Sequence, residues 1–201
     1  MTKRQEQANA SRQKIFETAK GLIGDNGYDN VTIAQIARAC GMSIGNFYHY
    51  FKSKDELVSY VERRPYEQLR EELSSLQDCP LLERLHCYIT RWAALLCQDF
   101  GVHLTRQWLV RNTRPAGPGE ANKLDQEARA IEGFLQQAVP RGELAENAPI
   151  RELAQMITFS LFGSMTYYCM TDGAFDILAW AEGYCALVET SLLAPYLPRR
   201  A

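Results

Sequence analysis

Histidine is scarce in this chain, with three residues, His49, His86 and His103, among 201. None stands at ligand spacing, and the six cysteines (Cys40, Cys79, Cys87, Cys97, Cys169, Cys185) are scattered without a C-x-x-C pair, so no metal site and no cofactor is expected. His-Glu-x-x-His, Gly-x-Ser-x-Gly and phosphate-cradling glycine patterns are missing too, which leaves catalysis without a recognisable nucleophile, base or metal. Nowhere do eighteen apolar residues run together, and the first fifteen residues are polar. Membrane insertion and export are therefore not expected, and the cysteines read as reduced, packed thiols of a cytoplasmic protein. Hairpin signals are lacking as well: Asn26-Gly27 closes a helical stretch instead of joining two alternating apolar runs.

Apolar residues make up 46% of the chain and charged residues 23%, the balance of a chain that folds on a hydrophobic core. The net charge of −2 hides a separation. Residues 1–54 hold eight Lys/Arg (Lys3, Arg4, Arg12, Lys14, Lys20, Arg38, Lys52, Lys54) against four acids, a net +4, and the remaining 147 residues carry −6. A basic quarter on an acidic body suits one module that meets phosphate and another that does not.

Helical periodicity runs throughout, so the fold class is all-α. Ile15, Ala19, Leu22 and Ile23 predict a first helix over about 9–26, stopped by Gly27. Thr32 with Gln35 forms a capping box for a short second helix that ends at Gly41. Ser43 caps a third, Ile44 to Tyr50, and two brief helices about a Gly-containing turn make a helix-turn-helix. Ser53 with Glu56 is a second capping box, opening a helix that Pro65 should kink near Arg64. Pro80 fits the first turn of a helix reaching Gly101, with Leu82, Leu85, Tyr88, Ile89, Trp92 and Leu96 inward. A short helix over 103–112, a loop over 112–119 and an amphipathic helix over 120–139 follow. Two long apolar helices, about 150–171 and 175–194, close the chain, and each has more apolar surface than a single copy has ways to cover.

The stretch VTIAQIARACGMSIGNFYHYFKSKDEL, Val31 to Leu57, resembles the DNA-binding signature of the TetR family of bacterial regulators. The resemblance lies in the threonine opening helix two, the Ile-Ala pair, the turn glycine, the Gly-x-Phe-Tyr of the recognition helix and the aromatic-Phe-Lys-x-Lys-x-x-Leu exit. It extends back to Ile15-Phe16, Ala19 and Gly27-Tyr28 and covers about residues 12–58. It implies a three-helix DNA-binding domain over 1–54 and a helical effector-binding and dimerisation domain over 55–201. Thr32 and Ser43 sit at helix ends suited to phosphate oxygens. By analogy with the family, Tyr48 and Tyr50 give hydroxyls to the backbone and Lys54 a charge. The family's base readers correspond to Ile44, Gly45, Asn46 and His49, where Asn46 suits an adenine edge and Ile44 a thymine methyl. His49-Tyr50 and Ile44 depart from the commoner family pattern, so the operator sequence does not follow.

One short recognition helix reads few bases, so a homodimer on a palindromic double-stranded operator is expected. The dimer is expected through the last two helices as a four-helix bundle, as the resemblance also implies, with Gly163, Ser164, Gly183 and Ala186 permitting close approach. A small-molecule effector is expected between the helices that begin near Pro80, His103 and Ile150. Trp92, His103, Gln107, Trp108, Phe159, Phe162, Thr166 and Tyr167 would line an aromatic cavity with a few polar handles. Repression released by a hydrophobic or aromatic compound is the implied mode. The alternatives are a cysteine-based redox sensor on the same scaffold and a small helical enzyme.

Overall fold

The computed structural model describes residues 3–60, 69, 71–72, 76–113, 117 and 122–198, the side chains of residues 3 and 4 apart. Among the described residues the chain is helix and turn, with no strand. The helices are α1 (Lys3–Asn26), α2 (Ile33–Ala39), α3 (Ile44–Tyr50), α4 (54–60 as described) and α5 (Leu81–Ala94), then α6 (Gly101–Asn112), α7 (Lys123–Ala138), α8 (Ile150–Met170) and α9 (Ile177–Leu187). A π-helical segment, Leu95–Phe100, joins α5 to α6, and another, Val188–Leu193, continues α9 into a 3₁₀ turn, Ala194–Tyr196.

The first helix begins six residues before its expected start. Residues 5–14 are exposed or half-buried, and the buried face opens only at Ile15 and Phe16. That extension is built of polar helix formers with no apolar period to announce it. Gly27 ends α1 in the left-handed region, at φ +82°, with its N–H on the Ile23 carbonyl. The Thr32 box is complete: its hydroxyl accepts from the Gln35 N–H while the Gln35 side chain accepts from the Thr32 N–H. The Ser43 hydroxyl accepts from the Asn46 N–H. The second box is displaced by one residue. Ser53 accepts from the Glu56 N–H, but the Glu56 carboxylate takes the N–H of Lys52. The kink expected at Pro65 and most of the 112–119 loop lie outside the described residues.

Pro80 is the N-cap of α5 and stands just outside the helix, while the Leu81 N–H is taken by the Glu143 carboxylate at 2.6 Å. Leu85, Tyr88, Ile89, Trp92 and Leu96 are buried as expected, and Leu82 only partly. Arg84 is buried in the same face. Its guanidinium donates to the Gln137 side chain and the Phe134 carbonyl and lies over the Phe134 ring. The negative end of α7 thus offsets the charge, although burial, with Arg141 adding repulsion, holds its pKa below the usual arginine value.

α7 and α8 pack side by side, and α9 lies against α5. α8 buries Leu153, Ala154, Ile157, Leu161, Met165 and Tyr168. Its buried Thr158 and Ser164 donate their hydroxyls to the helix's own carbonyls at Ala154 and Leu161. The buried apolar residues form one continuous cluster from Ile15 on α1 to Leu193. α1 packs against α6, with the His103 ring beside Gly27, and Lys20 lies 3.8 Å from Asp99 of the π-helical segment before α6.

Candidate nucleic-acid interface

Two phenylalanines orient α3. Phe47 is fully buried and Phe51 nearly so, one turn apart with their rings tilted on each other, and Phe51 meets Tyr60, and Tyr60 Phe16, edge-on. Anchoring that face turns the opposite one to solvent: Ile44 is 48% exposed and Tyr48 49%, with Gly45, Asn46 and His49 also exposed. Thr32 and Ser43 are exposed at the N-caps of α2 and α3. Tyr50 differs from this group, being half-buried and packed against the core.

Lys54 is placed differently from its expected outward position. Its ammonium donates to the carbonyls of Tyr28 and Val31 and lies 3.8 Å from the centre of the Tyr28 ring. The Tyr28 hydroxyl in turn donates to Asp55. Burial lowers the Lys54 pKa, and Asp29 and Asp55 partly oppose the shift. A residue passed over by motif reading, Arg12, reaches the C-terminal turn of α3 from the exposed part of α1. Its signal was only a position on the α1 face that leads to Ile15 and Phe16.

The eight residues expected around an effector do not converge. Trp92 and Trp108 are buried, and Trp108 packs on Phe162 with ring centres 5.4 Å apart. Gln107 is half-buried on the same helix as Trp108. His103 turns away to Gly27. Phe159 and Tyr167 are 54% and 53% exposed, and Thr166 is exposed with its hydroxyl on the Phe162 carbonyl. These three point outward because they fall on the side of α8 opposite its buried stripe. The described cavities, of about 240–320 Å³, lie elsewhere, two of them along α5 and α9 beside His86, Glu182 and Glu189 and beside Pro80 and Leu197.

The outward side of α8 presents Met156, Phe159, Gly163, Tyr167 and Met170 as one exposed stripe. α9 adds Gly183, Ala186 and Leu187, also exposed. Nothing lies within 4 Å of where a side chain on Gly163 or Gly183 would start. Ser164, grouped with them from the sequence, is buried and faces the protein's own core. One residue along a helix is a turn of about 100°, enough to separate it from Gly163.

Among the described residues no group of three His, Cys, Asp or Glu side chains is placed to hold a metal ion. Burial pushes the thiols of Cys87, Cys97 and Cys169 above the ordinary cysteine value and that of Cys185 up to about 11. Protonated thiols are poor nucleophiles at neutral pH, so these four sites disfavour the redox alternative.

Residues 15–61 match the family described as bacterial regulatory proteins, tetR family. The chain is 23% identical over 182 residues to the fatty acid metabolism regulator protein of Bacillus subtilis (strain 168), covering 89% of this chain and 94% of that one. It superposes on a transcriptional regulator FadR from Bacillus subtilis, solved in complex with stearoyl-CoA, with a TM-score of 0.65 and 22% identity over 88% of this chain and 96% of that chain. It also superposes on a TetR-family transcriptional regulator from Pectobacterium atrosepticum, with a TM-score of 0.71 and 18% identity over the whole of both chains. Those likenesses extend the fold past the matched residues, through the helices that follow α4. With that match on residues 15–61 and an exposed face on α3, the N-terminal helices carry the DNA-binding pattern of the bacterial regulatory proteins, tetR family, and the whole chain shares the fold of solved regulators.

Proposed function

We propose that the protein is a homodimeric repressor that holds a palindromic operator with α3 of each copy and releases it when a small hydrophobic molecule enters the C-terminal helices. The observation that carries this reading is the exposed face of α3, with Ile44, Gly45, Asn46, Tyr48 and His49 outward on a helix locked by Phe47 and Phe51. A seven-residue helix spans too few base pairs for a unique address, and a two-fold pair supplies two half-sites. The exposed stripe of α8 and its neighbours on α9 support pairing through these helices. The Bacillus subtilis matches favour an apolar acyl compound as effector: the curated one is named for fatty acid metabolism, and the solved FadR was in complex with stearoyl-CoA.

The physical route for release runs through α6. One face of α6 carries Trp108 against Phe162 of α8, and its first turn carries His103 beside Gly27, the residue that ends α1. A ligand that prefers a shifted α6 moves α1, and with it the separation of the two recognition helices. Occupancy alone does nothing: a hundredfold loss of operator affinity needs about 2.7 kcal/mol of differential binding between the two states.

Selection from random duplexes, followed by fluorescence anisotropy with long-chain acyl-CoA, free fatty acid and coenzyme A alone, tests the reading. An inverted repeat should emerge, and the acyl compound should weaken binding in the wild type but less in Trp108→Ala and Gln107→Ala. Recovery of no palindromic site overturns operator binding as a dimer. Equal release from all three proteins, with calorimetric ligand affinity unchanged, removes α6 from the effector site.

A further inference from the structure

Folding redistributes the basic charge of the N-terminal quarter. Lys54 is directed onto the Tyr28 and Val31 carbonyls, and Lys20 faces Asp99. Arg12 is exposed on the part of α1 that precedes the buried face, beside the last turn of α3. Its Nη2 lies 3.4 Å from the Tyr50 carbonyl and its guanidinium carbon 5.8 Å from the centre of the Phe51 ring. Both distances are long for their kind. The contacts therefore aim the side chain and leave its other N–H groups facing solvent.

The location has an electrostatic consequence. The last carbonyls of a helix point outward and carry partial negative charge. At the end of α3 they lie close to the base-reading residues, on the surface that a phosphate backbone must approach. A phosphate running past that end meets repulsion unless a cation intervenes, and Arg12 is a cation held on the carbonyl of Tyr50 itself. The guanidinium fork suits this double duty, donating to a carbonyl on one side and to phosphate oxygens on the other.

We propose that Arg12 is a DNA-backbone contact and positioning residue: it neutralises the carbonyl end of the recognition helix and binds the phosphate that passes it. The inference rests on the operator-binding reading above. Its test uses the full-length protein on an operator recovered by selection and on a scrambled duplex, by anisotropy from 50 to 300 mM KCl. Arg12→Gln should flatten the slope of log K against log salt by roughly 0.9 for each copy, weaken both duplexes in proportion and leave the preferred bases unchanged. Arg12→Lys should retain the wild-type slope. If Arg12→Gln loses affinity with the slope intact, the residue only braces α3 and the proposal fails. It fails equally if Arg12→Lys flattens the slope as the glutamine does, or if Arg12→Gln alters which base is preferred. A wild type that binds no duplex removes the operator reading itself, an outcome distinct from any difference between variants.

Discussion

At Lys54 an ammonium group closes the turn between α1 and α2, 2.7 Å from the Val31 carbonyl and stacked on Tyr28. Family resemblance assigns the same residue a phosphate, and the two roles differ in what their loss would do. Lys54→Met keeps the length of the side chain and removes the donor; the Tyr28 carbonyl keeps the Val31 N–H, and the part-buried Val31 carbonyl loses the ammonium. An acceptor stranded in this way costs about 1–3 kcal/mol, so denaturant unfolding should report a loss of that order. Operator affinity should fall with the salt slope unchanged, because Lys54 acts through the turn. A slope reduced by roughly 0.9 per copy would instead place Lys54 on phosphate.

Among the elements, α2 and α3 were legible almost residue for residue, because each is short and its limits are set by side chains within four positions: Thr32 with Gln35, Ser43 with Asn46, Gly41 between them. The extension of α1 was not, since an exposed polar helix carries no apolar rhythm. The π-helical segment Leu95–Phe100 escaped for the opposite reason: its apolar residues fit an ordinary helix, and the wider winding is decided by packing and by Gly101 at φ +68°. On α8 the composition announced excess apolar surface but not which side stays open. Pattern alone puts Phe159 and Tyr167 in a cavity and Ser164 at an interface, whereas the first two are exposed and Ser164 is buried. Neighbouring substitutions separate the two faces. Gly163→Trp should leave the fold intact and yield monomer or aggregate in light scattering. Ser164→Trp should destabilise the chain by about 1–3 kcal/mol through overpacking. A dimer untouched by Gly163→Trp would place the contact elsewhere.

For the molecule as a whole, stability and pairing should be one property if the stripe of Met156, Phe159, Tyr167 and Met170 is covered by a second copy. Urea unfolding measured at two protein concentrations a hundredfold apart should then differ by about 2.7 kcal/mol in apparent stability. Coincident curves would mean that the folded single chain stands alone. The C-terminal segment gives this a sharper meaning. Ile177–Tyr196 is long and apolar enough by length and composition to cross a membrane, with a mean hydropathy of 1.2, yet only 22% of that stretch is buried within the chain. A single copy therefore leaves much of that stretch facing solvent. If a second copy covers that flank, the population able to bind an operator rises with protein concentration, and dilution alone should lower operator occupancy.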